Sequence, residues 1–265
     1  MPLALAGGLR VNYTREGSGP PLLMLHGWAN SSLTLQPLAH ALTDVRDVYA
    51  PDLPGFGRTE TPKEPEGWDT ARHAAFIVEL MDKLKLERAD FFGHSHGGRI
   101  ATYLAATSPD RVTRLILAGS TGLHSHLTPF ERLQRTTRRA LITSAHRAAA
   151  RGWLGKGGPQ RARALSERYA SADYRAAGPM RPTMARVLAD DLEPLLAHIE
   201  APTLLIWGAL DRETPLELGQ RSRRLINGSS LVVVPNAAHH VFQDAPQQVE
   251  AAIRSFLLRH EGEAA

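Results

Sequence analysis

The sequence predicts an α/β fold, a mostly parallel central sheet flanked by helices, with a helical insertion in its second half. Three observations lead there. Short apolar runs alternate with amphipathic stretches through the first half of the 265 residues, the pattern that crossover helices impose on parallel strands. The alternation stops between Gly122 and His198, where Ala, Arg and Leu recur at helical spacing. Finally, Gly93-His94-Ser95-His96-Gly97 lies between an apolar run and a helix-forming one, and a G-x-S-x-G turn in that setting lifts its serine above the edge of a sheet.

In chain order, Gly8–Arg15 is expected to begin the sheet as a hairpin closed at Gly17-Ser18-Gly19. Candidate strands follow at Leu22–Leu25, Val45–Ala50, Ala89–Phe92, Arg114–Ala118, Thr203–Trp207 and Leu231–Val234. Thr70–Leu86 places Ala74, Ile77, Val78, Leu80, Met81 and Leu84 on one helical face, with Asp69 available as the N-cap. Pro215–Ile226 and Pro246–Leu258 read as two further helices. Thr128-Pro129-Phe130-Glu131 has the cap, first-turn proline and back-reaching glutamate of a helix start. Gly152 to Pro159 then divides the helical region. Its glycines do not make a phosphate-binding loop, because Lys156 is followed by Gly157 and the spacing fails. The expected division is therefore a core of 1–121 and 199–265 and an insertion of 122–198.

Composition narrows the chemistry. There is no cysteine, which removes disulfides, thiolate catalysis and zinc–cysteine sites. No stretch reaches the roughly 18 apolar residues of a membrane span. The first residues lack the basic and apolar segments of a secretory signal, so a cytoplasmic protein is expected. The net charge is +4, but the segment from Gly122 to His198 holds thirteen Arg or Lys against six carboxylates. With no interleaved aromatics to stack on bases, that segment reads as a solvated helical surface, with attraction of an anionic substrate as the alternative. Neither nucleic acid nor a membrane is expected as a partner, and nothing in the sequence indicates an oligomeric state. Trp153, Tyr169, Tyr174 and Met180 are expected to pack inside the insertion, or else to line a pocket.

The loops that follow parallel strands open on one edge of the sheet. Ser95 follows one candidate strand, Asp211 follows Thr203–Trp207, and His239 and His240 follow Leu231–Val234. A serine hydroxyl needs a neighbouring base; an imidazole supplies one near neutral pH, and a carboxylate orients it and stabilises its charged form. The developing oxyanion needs fixed N–H donors, for which the backbone amides of His96 and Trp28 are the candidates. His94 and His96 flank the serine on a tight turn and point away from it, so His94 reads as a packed residue. His94-x-His96 and His124-x-His126 lack a carboxylate that would complete a metal site, and Asp52 to Gly57 reads as a structural turn.

Taken together, Leu25-His26-Gly27-Trp28, Asp52-Leu53-Pro54-Gly55-Phe56-Gly57, Gly93-His94-Ser95-His96-Gly97-Gly98, Gly208-Ala209-Leu210-Asp211 and Asn236-Ala237-Ala238-His239 resemble the α/β-hydrolase superfamily. The resemblance implies a serine hydrolase with Ser95, His239 and Asp211 as its catalytic set and with the 122–198 segment as a helical cap. It selects His239 over His240 by its distance from Pro246 with Asp244 between, although Ala238 stands where relatives carry glycine. It implies no metal and no organic cofactor. Esterase chemistry on a small-molecule ester is the first expectation. Carbon–carbon bond hydrolases, lactonases and perhydrolases share the same residues, and a small-molecule receptor with vestigial hydrolysis is the alternative of another class. Epoxide hydrolases and haloalkane dehalogenases resemble the chain closely but use an aspartate nucleophile, against which Ser95 stands.

Overall fold

A computed structural model describes residues 3–120, 122–123, 129–169 and 176–259. The strands among them are β1 (Leu3–Ala6), β2 (Leu9–Gly17), β3 (Pro21–Leu25), β4 (Asp47–Pro51), β5 (Ala89–His94), β6 (Val112–Ala118), β7 (Thr203–Gly208) and β8 (Ser230–Val234). They form one sheet in the order β1-β2-β4-β3-β5-β6-β7-β8. β1 and β2 are antiparallel additions, and every pair from β4 to β8 is parallel. The hairpin lies elsewhere than expected. β1 turns into β2 at Gly7-Gly8, whereas Gly17-Ser18-Gly19 leads from β2 to β3, which are separated in the sheet by β4.

The helices are α1 (Ser32–Ala41), α2 (Thr70–Lys83) and α3 (His96–Thr107), then α4 (Pro129–Ala150) and α5 (Gly158–Tyr169), and finally α6 (Arg181–Ala189), α7 (Leu216–Leu225), α8 (Val241–Asp244) and α9 (Pro246–Arg259). Both faces of the parallel strands are covered, and alternate residues go to opposite sides. Leu23, Leu25, Phe91, Leu115, Leu117 and Leu205 pack beneath α2 and α3, against Phe76, Ile77, Leu80, Ile100 and Leu104. Their neighbours Leu22, Met24, Phe92, Ile116, Leu204 and Ile206 pack beneath α1 and α9, against Leu35, Leu38, Val249, Ile253 and Phe256. The chain leaves β3 through α1 to reach β4 on one side, then returns through α2 to β5 on the other. Between β3 and β5 the connections diverge, which opens a crevice at the carboxyl ends of the strands.

Asp69 caps α2 by accepting the N–H of Arg72 at 2.9 Å. Helix α1 has Ser31 at its N-cap, whose side chain makes no capping bond, and it contains Pro37. Its start is held instead by Asp52, beyond β4, whose Oδ1 accepts the amide of Ser32 at 2.7 Å, a carboxylate at the positive end of a helix. Asp52 Oδ2 also takes Asn12 Nδ2 at 2.8 Å and the amide of Arg58 at 2.9 Å.

The chain divides into two compact units, 1–123 with 182–265, and 124–181. The division falls at 181 rather than at 198. Thr183 Oγ1 accepts the amide of Trp68 at 3.0 Å, and Asp190 Oδ2 accepts that of Thr70, also at 3.0 Å. Arg186 pairs with Asp69 at 2.6 Å, so residues 182–198 fold against the start of α2 as part of the larger unit. In the smaller unit α4 and α5 pack on each other as a hairpin. Trp153 departs from expectation, since it is 73% exposed rather than packed inside the insertion, while Met180 is buried. Tyr174, Thr128, His124 and His126 lie outside the described residues.

The role of Asp52 predicts how stability depends on pH. Burial pushes its carboxyl up, but bonds from Arg58, Ser32 and Asn12 outweigh this and hold it below the usual carboxylate range. A depressed folded value means stabilisation that is complete above the unfolded value, near 4, and lost as pH falls through the folded one. Asp52→Asn should therefore melt several degrees lower than wild type at neutral pH, with the gap closing below about pH 4. Melting curves across pH check this; a gap that stays constant down to pH 3 would refute it.

Candidate active site

Ser95 joins β5 to α3 with φ 51° and ψ −113°. A positive φ on a residue with a Cβ costs on the order of 1–3 kcal/mol and survives only where the surroundings impose it. Here they do. A Cβ at Gly97 would lie 2.2 Å from the carbonyl oxygen of Leu25, and one at Gly93 would lie 2.5 Å from the Cα of Gly98. Only glycine lets β5, the turn and α3 approach this closely. The amide of Ser95 bonds to the carbonyl of Ala118 at 3.1 Å, which ties the turn to the end of β6. The next amide, that of His96, is the first of α3 and belongs to the set at a helix start that has no intrahelical acceptor.

Asp211 lies in the turn after β7, and both its oxygens are occupied. Oδ1 accepts the amides of Glu213 at 2.9 Å and Thr214 at 2.8 Å. Oδ2 lies 2.9 Å from His239 Nδ1 and 2.7 Å from the hydroxyl of Thr214. Burial pushes the Asp211 carboxyl up; the bonds from His239 and Thr214 outweigh this and hold it below the ordinary carboxylate range. An ionised Asp211 fixes the tautomer of its partner, because Nδ1 must carry a proton to donate to it. In a neutral ring Nε2 then keeps its lone pair and can accept a proton. The carboxylate of Glu213, 67% exposed at its side chain, stands 3.5 Å from that Nε2.

His239 is buried in the loop after β8. Asp244 Oδ2 holds the amide of Ala238 at 2.7 Å, just before it. His94 Nε2–H donates to the carbonyl of His239 at 3.0 Å, and the two rings lie 4.8 Å apart. The residue preceding Ser95 thus anchors the loop that carries the imidazole. His94 does more than fill space, and burial, its largest influence, lowers its pKa to about 3, so it stays neutral. His240 packs against His94 and Phe242, and the imidazole bonded to Asp211 is that of His239.

On the other side of the crevice, Trp28 sits in the turn after β3, where Ala29 also has a positive φ of 56°. Its ring lies 4.9 Å from that of Phe56 and 5.3 Å from that of His96. The turn is latched from below by His26, whose Nε2 accepts the amide of Leu53 at 2.9 Å. Burial lowers the His26 pKa to about 4. Trp28 and His96 are therefore in ring contact, and both occupy turns that open on the switch point. No group of three or more His, Asp or Glu suited to a metal ion occurs among the described residues.

The chain matches the family described as alpha/beta hydrolase fold over residues 20–246. It belongs to that family. It is 30% identical over 261 residues to haloalkane dehalogenase 2 of Mycobacterium tuberculosis, covering 92% of this chain and 90% of that protein. It is 39% identical over 131 residues to 2-hydroxymuconate semialdehyde hydrolase of Pseudomonas sp. (strain CF600). That second match spans less than half of either protein, 47% of this chain and 44% of the relative. Among solved structures, a hydrolase from Pseudomonas aeruginosa PA01 aligns with a TM-score of 0.73 at 29% identity, over 97% of both chains. The eight-stranded sheet and its flanking helices are the fold of this α/β-hydrolase family.

Thr214 is the site residue that sequence reasoning missed. Its hydroxyl lies 2.7 Å from Asp211 Oδ2, 3.1 Å from the carbonyl of Gly119 and 3.2 Å from His239 Nδ1. The only hint in the sequence is its position three residues after the aspartate, and a threonine there reads equally as a helix cap. Its hydroxyl thus bonds the carboxylate that in turn holds His239. Losing a hydrogen bond to a charged group costs about 1.5–3 kcal/mol. Thr214→Val should therefore lower kcat/KM for hydrolysis roughly tenfold to a hundredfold, and Thr214→Ser should restore most of it. Equal turnover by the valine variant would show that the hydroxyl is idle.

Proposed function

We propose that this α/β hydrolase cleaves a carboxylic ester through an acyl-enzyme formed on Ser95. The observation that carries the reading is the buried Asp211–His239 pair, bonded at 2.9 Å, on a loop anchored by the residue next to Ser95. In this reading His239 Nε2 accepts the Ser95 proton as Oγ attacks the carbonyl carbon. Asp211 stabilises the imidazolium that results. The amides of His96 and Trp28 hold the tetrahedral oxyanion, a contribution typically worth about 2.7–4 kcal/mol per donor. The imidazolium then protonates the departing alcohol. In the second half-reaction His239 takes a proton from water, hydroxide adds to the acyl carbon, and the acid leaves as Ser95 regains its proton.

A second reading is hydrolysis of a carbon–carbon bond by the same residues, and the similarity to a 2-hydroxymuconate semialdehyde hydrolase favours it. Both readings need a serine nucleophile and a base, and they differ in whether the leaving group is an oxygen or a carbon. The similarity to a haloalkane dehalogenase supports the fold more than the reaction, because position 95 is serine rather than the aspartate that the resemblance assigns to dehalogenases.

Activity on a panel of p-nitrophenyl esters and vinylogous diketones tests both. Ester turnover that Ser95→Ala lowers by about four orders of magnitude or more supports the first reading. A kcat/KM for the diketones well above that of any ester would move the assignment to the second. A fluorophosphonate should label the wild type and not Ser95→Ala; equal labelling of that variant would remove Ser95 from the mechanism. Saturable ligand binding without measurable turnover would replace the enzyme with a receptor.

A further inference from the structure

The smaller unit carries a charge pattern that the chemistry above does not use. Between Arg132 and Arg163 there are nine Arg or Lys and no Asp or Glu. Arg147, Arg151, Lys156, Arg161 and Arg163 are all exposed. The turn between α4 and α5 bears Trp153, the one Trp, Tyr or Phe in that stretch. It is also the most exposed large apolar side chain among the described residues, at 73%.

The backbone fixes this presentation. Gly152, with φ +74°, ends α4; its amide bonds to the carbonyl of Ala149, and the amide of Trp153 reaches back to that of Ala148 at 3.0 Å. This is the double-bonded helix stop that needs a left-handed residue, and such a stop commonly brings the residue after the glycine back onto the last helical turn. Here Trp153 faces water instead, with the guanidinium of Arg151 5.2 Å from the centre of its ring. Gly155, Gly157 and Gly158 follow.

We propose that this tip, Arg151 to Lys156 with Arg147, Arg161 and Arg163, docks on the surface of an anionic phospholipid bilayer. The indole would enter the headgroup layer, and the cations would lie over lipid phosphates. An amphipathic ring is suited to that layer. Each basic side chain near an anionic surface adds roughly fivefold to partitioning. The mode is peripheral, since no helix among the described residues is long and apolar enough to cross a membrane. A single indole offers no succession of stacking faces for unpaired bases, which favours lipid over nucleic acid. The inference departs from the solvated surface expected of the sequence, and the exposure of Trp153 is what changes the reading.

The test uses the full chain and sedimentation with vesicles of phosphatidylcholine alone or with one quarter phosphatidylglycerol, in about 0.1 M salt. The protein should sediment with the anionic vesicles and remain in solution with the neutral ones. Binding should fall steeply toward about 1 M salt, where the screening length is only about 3 Å. The double variant Arg151→Glu, Lys156→Glu should bind at least tenfold more weakly, and Trp153→Ala several-fold more weakly, with unchanged melting temperatures. Equal sedimentation with both vesicle types, or charge-reversed protein that binds as wild type does, would overturn the proposal. So would failure to bind vesicles, with or without capture by duplex DNA or an acidic protein.

Discussion

Hydrogen bonds that run on past the ends of the strands are what the candidate site depends on. The amide of Ser95 bonds to Ala118, that of Gly119 to Ile206, that of Ala209 to Val234 and that of Leu210 to Ala237. Each continues the ladder for one step into a loop that would otherwise be free to wander. Loops after β5, β6, β7 and β8 are thereby laced side by side at one edge. The approach is too close for side chains. A Cβ at Gly208 would fall 2.3 Å from the carbonyl oxygens of Ala237 and Ala238, and one at Gly119 would touch both Asp211 Oδ2 and His239 Nδ1, each at 3.3 Å. The acid and the imidazole meet because the backbones beneath them already do.

A second constraint is electrostatic. Other histidines crowd the same edge, and burial makes His26, His94 and His96 poor bases. The pKa is lowered to about 4 for His26, to about 3 for His94, and well below the usual value for His96, in each case chiefly through loss of hydration. Their neutrality lets them serve as hydrogen-bonding and packing groups without adding positive charge beside the imidazolium that catalysis would create. His239 differs in having an ionised partner at 2.9 Å. One side-chain chemistry is thus put to two uses, according to what lies within hydrogen-bonding range.

Much of the architecture was legible because its causes are local. Short continuous apolar runs mark β3, β5, β6 and β7, and the face of Ala74, Ile77, Leu80 and Met81 marks α2 along with its Asp69 cap. Helix α1 was not legible, because its start is secured by Asp52 from beyond the next strand and its own sequence includes a proline. The misplaced hairpin has a similar origin. Both glycine pairs can turn the chain, and only the antiparallel pairing of β1 with β2 decides which one closes a hairpin. Thr214 escaped notice because a threonine beside a helix start has an ordinary local explanation.

The sequence by itself determined the kinds and order of the elements, the residue types able to do chemistry, and their placement after successive strands. These follow from periodicity, turn chemistry and the single direction of parallel strands, all of which are read from neighbouring residues. Only the tertiary structure decided that Thr214 joins Asp211, that His94 holds the His239 carbonyl, and that the chain rejoins the larger unit at 182. It also decided that Trp153 faces solvent. Each of those outcomes rests on partners distant in the chain, or on whether a neighbour arrives to bury a surface, and local sequence carries no record of either.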